Sequence, residues 1–329
     1  MINNIEHSYK SYSIYYNQIV WNYIILNGIM PFLKVVRNKN LFENYMLFKG
    51  VSRGDNITIV FKTTSNHTEN LSKEIKKHFD SYLQEHPSKT DKIKLPLNEW
   101  LLDFPNNSLH ENDFSAQRKA VQLLTGGKQT FSLINEQLYH TSELSFKVID
   151  QYEHISQDEI IATVLELILS FVYSAGFIKQ EAHLFFEFYL DHLLPKTNST
   201  NSGLKEIKPL RRRIKQEYKA NQSELSEFIH AFWDTLDKEN GQISDDVLDV
   251  WILESKRFFS GLNTLKSDNK IVVPYHFKFK KKTSKENQIL WPIMEYIISN
   301  LMSLLGFNDF SSRYYFIYSI TISLKSGHK

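Results

Sequence analysis

The sequence predicts an α+β protein: a mostly antiparallel sheet lobe with a hairpin, followed by a largely helical C-terminal half. Three observations predict it. Two β-rich runs flank a turn at residues 52–55, an amphipathic helix follows them, and from Ser156 onward most segments carry helical caps and spacing. The reading divides the chain into residues 1–150, an α+β sheet-rich lobe, and 151–329, a mainly helical lobe with late strands, packed as one compact unit.

The first apolar stretch, YSIYYNQIVWNYIIL from Tyr12, reads as a strand covered on both faces, because its alternation is loose. Pro31 can open a short helix through Val36. Residues 44–63 form the clearest element, a hairpin in which NYMLFKGV and NITIVFKT flank Ser52-Arg53-Gly54-Asp55. Arg53-Gly54-Asp55 resembles an integrin ligand, but a hairpin tip accounts for it better. Asn70–Glu85 reads as a helix with Leu71, Ile75, Phe79 and Leu83 at fourfold spacing. Pro87, Pro96, Pro105 and Gly126-Gly127 interrupt residues 86–150, where loops and short strands are expected. Gly-Gly-Lys there is not a phosphate loop: Gln122 stands where its first Gly belongs, and Gln129 where Ser or Thr would hold magnesium.

The remainder reads as helical. Ser156-x-x-Glu159 is a capping box ahead of Ile160–Ala175, with Gly176 as the left-handed stop. Lys179–Leu194 follows, then a polar linker at 196–203 and helices Lys208–Lys219, Ser223–Lys238 and Asp245–Leu262, with a polar connection at Asp237–Ser244. Ile271–Lys280 alternates as a strand, and Asn287–Leu305 is a long helix that tolerates Pro292 in its first turn. The segment Arg313–Leu324 suits either a closing strand or a buried helix.

Composition narrows the function. The 329 residues contain no cysteine, which excludes disulfides, thiolate zinc sites, iron–sulfur clusters and cysteine nucleophiles. A cytoplasmic protein is expected, since the first residues lack the basic-then-apolar layout of a signal peptide. No membrane span is expected: the longest apolar run, Ile160–Phe177, carries Glu166 at its middle. A net charge of +2 gives no reason to expect nucleic acid. Seventeen tyrosines are more than a core needs; interior and partly buried positions account for them best, with a groove for an extended or planar ligand as the alternative.

Several groups are candidates for chemistry. Tyr139-His140-Thr141-Ser142-Glu143 gathers proton-bearing side chains after an apparent strand, as a general acid–base site or a turn would. Ser311-Ser312-Arg313-Tyr314-Tyr315 fits a helix cap or a ligand contact. His183, Glu187 and Asp191 share one helical stripe, which suits a solvated face better than a metal, so no metal is expected. Arg211-Arg212-Arg213-Ile214-Lys215 and Lys278–Lys282 are basic patches suited first to a solvated face, then to an acidic peptide or nucleic acid.

The order of these features resembles a known family. A Trp/Tyr-rich opening with Trp21 and Tyr23 leads to FENYMLFKGVSRGDNITIVFK, then NLSKEIKKHFDSYLQ, LYHTSELSF and ISQDEIIATVLELILSFVYSAGFIKQEAHLFFEFYLDHLL. Over about residues 12–195 this is similar to thiopeptide-type bacteriocin biosynthesis proteins, which resemble the elimination domain of class I lantibiotic dehydratases. Eliminating members carry Gly-x-His-Leu-Arg-Leu-Arg on the second hairpin strand. Here the matching run is Gly54-Asp55-Asn56-Ile57-Thr58-Ile59-Val60, so Asn56, Thr58 and Val60 stand where the imidazole and two guanidinium groups belong.

The resemblance therefore implies the pyridine-synthase branch. Such a macrocyclase joins two dehydroalanines of a modified precursor peptide by a formal [4+2] aza-cycloaddition, with loss of water and leader peptide and with no cofactor. It implies Tyr139, Ser142 and Glu143 as first choices for proton transfer, with His183 and Tyr315 behind them. Arg53, Trp21, Arg211, Arg212 and Arg213 are offered to the substrate and its leader. The implied partners are the precursor peptide and other enzymes of its pathway, with a homodimer left open. Two alternatives stand beside this reading: a glutamate-eliminating subunit of a split dehydratase, and a non-catalytic precursor-binding subunit.

Overall fold

A computed structural model describes residues 7–51, 53–89, 104–115, 118–119, 122, 127–152, 154–193, 201–243, 245–268, 270–271 and 288–326. The chain divides into two units, Met1–Val121 with Leu138–His154, and Gln122–Gln137 with Ile155–Lys329.

The first unit contains a four-stranded antiparallel sheet of order β2-β3-β1-β4, with β1 His7–Tyr15, β2 Asn44–Gly50, β3 Asn56–Thr64 and β4 Ser108–Asn112. The expected hairpin is β2–β3, in register from Asn44 opposite Lys62 to Gly50 opposite Asn56. Arg53 and Gly54 at its tip have φ of 59° and 108°, the left-handed geometry that a tight reversal needs. The strand period of two sorts side chains between two faces. Tyr12, Ile14, Tyr45, Leu47, Ile57, Ile59 and Phe61 share one face and are buried. Helices α1 Gln18–Asn38 and α2 Thr68–Glu85 pack on that face. Phe32 meets Phe61 and Phe79 edge-on at 6.4 and 5.3 Å, and the Tyr12 hydroxyl lies 2.6 Å from that of Ser72.

The opening stretch corrects the sequence reading. The strand ends at Tyr15, and the run read as its continuation is helical from Gln18. Asn17 caps this start by accepting the Ile19 N–H at 3.0 Å. The buried residues Trp21, Ile24, Ile25, Gly28, Ile29, Phe32, Leu33 and Val36 follow helical spacing. Pro31 stands in the first turn of the α-helical stretch Met30–Asn38, as expected, and a π turn, Ile25–Ile29, joins that stretch to the helical run before it. By length and composition alone α1 could cross a membrane, and 44% of its apolar window is buried.

Lys128–Gln151, within the region read as loops and short strands, is a 24-residue helix, α3. Among its described residues from 155 onward the second unit is helical: α4 Gln157–Ser174, α5 Lys179–Leu193, α6 Asn201–Ala220, α7 Gln222–Lys238, α8 Asp246–Ser267, α9 Trp291–Leu304 and α10 Phe310–Ser326. The Ser156–Glu159 capping box forms, and Gly176 has φ of 77°. Asp245 caps α8 through the N–H groups of Val247 and Leu248. Residues 201–203 of the expected linker belong to α6, while 196–200 lie outside the described residues. Lys278–Lys282 and nearly all of the strand expected at Ile271–Lys280 also lie outside them.

The two readings left open for Arg313–Leu324 resolve to a buried helix, α10, with Tyr314, Phe316, Ile317, Ile320 and Leu324 inside. It packs on α5, α6 and α7. The Asp309 carboxylate accepts from the N–H and hydroxyl of Ser312, which caps the helix start.

One core carboxylate makes stability depend on pH. Glu166 on α4 is half-buried, and burial, with the charge of Asp245 second, raises its pKa from 4.5 to about 7. Between those values the folded chain keeps a proton that the unfolded chain has lost. This contribution is therefore fullest below pH 4.5 and is lost as pH rises through 7. Glu166→Gln should leave urea stability nearly unchanged at pH 4.5 and raise it at pH 8 by about 1–2 kcal/mol, after a discount for partial exposure. An equal gain at both pH values would refute the account.

Candidate functional site

Tyr139, Ser142 and Glu143 do not follow a strand. They share one face of α3, because spacings of three and four residues coincide on a helix. The buried Ser142 hydroxyl accepts the Leu47 N–H at 3.0 Å and donates to the Leu138 carbonyl at 2.7 Å, so it seals the outer margin of β2. Glu143 accepts from the Tyr45 hydroxyl at 2.7 Å and is paired with Arg37. Tyr139 meets the Tyr45 ring edge-on at 5.5 Å. Burial, then the Glu143 carboxylate, pushes both phenols above their ordinary pKa, so both keep their protons at neutral pH. A cavity of about 210 Å³ lies beside this network, walled in part by Met30, Leu33, Arg37, Glu143 and Phe146.

The other sequence candidates lie elsewhere. His183 and Tyr315 belong to the second unit. His183 Nδ1 is 3.0 Å from the Thr321 carbonyl, and Nε2 is 3.6 Å from Glu187. Among the described residues no group of His, Asp and Glu could hold a metal ion. Burial raises the Tyr315 phenol, which also bonds Asn221. Trp21 is buried, with its indole N–H on the Tyr16 carbonyl at 2.8 Å. The Arg53 guanidinium stacks 3.9 Å above the Phe104 ring. Arg211 bonds the Tyr314 hydroxyl at 3.1 Å, exposed Arg213 pairs with Glu217 at 3.3 Å, and Arg212 is exposed.

The second face of the sheet carries a different arrangement. Pairing of Ser13 with Thr58 and with His110, and of Ser11 with Val60 and with Asn112, places these side chains beside Asn56 and Tyr15 on that face. A row of hydrogen bonds crosses three strands. Asn112 Nδ2 donates to Ser13 Oγ at 2.7 Å; Ser13 Oγ and Thr58 Oγ1 are 2.7 Å apart; Thr58 donates to Asn56 Oδ1 at 3.2 Å; Asn56 Nδ2 donates to the Gly54 carbonyl at 2.9 Å. Thr58 spends its proton on Asn56, so Ser13 donates to Thr58 and the row has one polarity. It carries no formal charge.

His110 borders the row, edge-on to Tyr15 at 5.4 Å and 4.0 Å from the Phe104 ring. Burial, then the nearby charge of Arg53, lowers its pKa and leaves a neutral imidazole at pH 7. Asn112 also lines a polar cleft of about 730 Å³, with Tyr9, Lys10, Glu111, Phe114 and Arg118. There Arg118 lies over the Tyr9 ring at 5.3 Å, and Lys10 pairs with Glu111 at 2.6 Å.

Sequence reasoning marked Asn56 and Thr58 only as replacements of an expected imidazole and guanidinium, not as site residues, and missed Ser13, His110 and Asn112. The available signal was strand alternation in SYSIY and SLHEN, which sets their polar side chains on one face.

No protein-family model matches the chain, and no curated protein matches it in sequence. Solved structures do. The pyridine synthase TbtD of thiomuracin biosynthesis superposes with a TM-score of 0.68 at 12% identity, over 97% of this chain and 98% of that one. TsrL gives 0.68 at 11% identity, over 98% and 95%. The tRNA-dependent lantibiotic dehydratase MibB from Microbispora sp. 107891 gives 0.61 at 8% identity, over 97% of this chain but 28% of its own. At these identities the likeness is one of fold: the chain has the α+β architecture shared by a thiopeptide pyridine synthase and part of a lantibiotic dehydratase.

Proposed function

We propose that this protein is a pyridine-forming macrocyclase acting on a ribosomally made precursor peptide that bears dehydroalanines and azoles. The observation that carries the reading is the uncharged hydrogen-bonded row of Asn112, Ser13, Thr58 and Asn56. Two of its members, Asn56 and Thr58 on β3, occupy positions where the eliminating relatives are expected to hold an imidazole and a guanidinium group. Similarity over almost the full length of a pyridine synthase supports the same reading.

The reaction balances without a cofactor. One amide moves its N–H proton to oxygen and becomes an iminol, which supplies a 2-azadiene. Two C–C bonds then form to the second dehydroalanine. The iminol hydroxyl leaves as water, and a C–N bond breaks to release the leader as its carboxamide, giving an aromatic pyridine. Each step moves protons between neutral groups, which suits a directional hydroxyl pair beside a neutral imidazole. Holding two distant segments together is the larger task; orientation of this kind can be worth about 7–11 kcal/mol.

Incubation with a dehydroalanine- and azole-bearing linear precursor should give a product lighter by one water plus the leader, read by mass spectrometry. An unchanged mass across several precursors would overturn the proposal. Arg53 and His110 at one end of the face favour elimination as a second reading, since together they could hold a carboxylate. Release of free glutamate from a glutamylated precursor would select it. Binding by calorimetry with no mass change would select a presenting subunit.

A further inference from the structure

A groove of about 660 Å³ on the first unit lies apart from the residues used above. Tyr16, Ile19, Val20, Tyr23, His86 and Pro87 form most of its wall. Ile19 is 81% exposed and Tyr23 47%, an unusual display of apolar surface at the start of a helix that buries its other side. A knot of hydrogen bonds fixes the base: Asn17 N–H donates to Ser88 Oγ at 3.1 Å, and Asn106 and Asn107 donate to the Ser88 carbonyl at 2.9 and 3.0 Å.

Behind this wall stands Tyr82. Its ring is stacked on His78 at 6.1 Å and lies 4.8 Å from His86. A Cβ on Gly28 would approach Tyr82 Cζ to 3.0 Å, so Gly28 is what admits the ring. Tyr82 is 8% exposed, and its hydroxyl is buried with no hydrogen-bond partner. The hydroxyls of Tyr16 and Tyr23, both groove residues, are its electrostatic neighbours, and burial keeps the phenol protonated. A buried donor without a partner costs about 1–3 kcal/mol. A phenylalanine would avoid that cost, yet tyrosine is present.

We infer that the groove binds a planar heteroaromatic ring, held against Tyr16, Tyr23 and His86, whose in-plane nitrogen accepts the Tyr82 hydroxyl once the exposed Tyr23 ring swings aside. This deepens the proposed function, in which the precursor carries azoles, and places one of them here.

The test uses bare rings, so it is independent of cyclisation. Thiazole-4-carboxamide and benzamide are titrated by saturation-transfer NMR into the full chain and its Tyr82→Phe and Ile19→Asp variants. The thiazole should bind at least fivefold more weakly to Tyr82→Phe, and benzamide equally to both. Ile19→Asp, at an exposed position, should lose both ligands. Tyr82→Phe should melt no lower than the parent. Equal thiazole affinity in parent and Tyr82→Phe, no thiazole binding by the parent, or a destabilised Tyr82→Phe would each overturn the inference. A cyclising enzyme that ignores the thiazole defeats only this site. A thiazole-binding protein that leaves precursors unchanged defeats only the reaction.

Discussion

Thr58→Val should slow ring formation at least a hundredfold while leaving the fold intact. Valine keeps the branched shape that a strand prefers, so the β3 pairing survives. What it loses is the hydroxyl between Ser13 and Asn56. Ser13 then has no acceptor across the strand, and the row breaks at its middle. Positioned proton transfer is worth about 10²–10⁴-fold, so loss of a central member should reach at least the lower figure. Thr58→Ser restores the oxygen and should recover most of the rate. Single-turnover product mass, with circular dichroism as the control for folding, checks both. Full activity in Thr58→Val would reduce the row to a structural strut.

Trp251→Ala should lower stability by about 3–5 kcal/mol. Trp251 on α8 is 2% exposed and stacks on Phe171 of α4 at 5.6 Å. Its indole N–H reaches the Leu167 carbonyl at 2.9 Å. Removing the ring leaves a cavity between two helices where Phe258 and Phe259 already pack against Phe171. Urea unfolding followed by tryptophan-independent far-UV signal measures the change. A loss below about 1 kcal/mol would mean that the α4–α8 seam collapses freely.

Elements with local signals were legible in the sequence. The hairpin carries its turn in Arg53 and Gly54, and α4 carries both of its caps in Ser156, Glu159 and Gly176. α1 was misread because isoleucine and aromatic residues favour strands, although the run from Trp21 to Val36 has helical period. α3 escaped notice for another reason. Its buried side includes Thr130, Asn135, Gln137, Thr141, Ser142 and Ser145, so polar residues blur the apolar period.

The candidate site divides the same way. Asn56 and Thr58 stood out on one strand only as replacements of an expected imidazole and guanidinium. Ser13, His110 and Asn112 join them only through the strand order β2-β3-β1-β4, which brings distant segments together. The second-order contacts of Tyr139, Ser142 and Glu143 depend on helix docking, which no local spacing encodes.

The seal that Ser142 places on Leu47 also bears on the edge of the sheet. A guest strand that tried to extend the sheet beyond β2 would have to displace this hydroxyl from the Leu47 N–H. At Leu47 the β2 margin of the sheet is therefore closed by a side chain of the same fold.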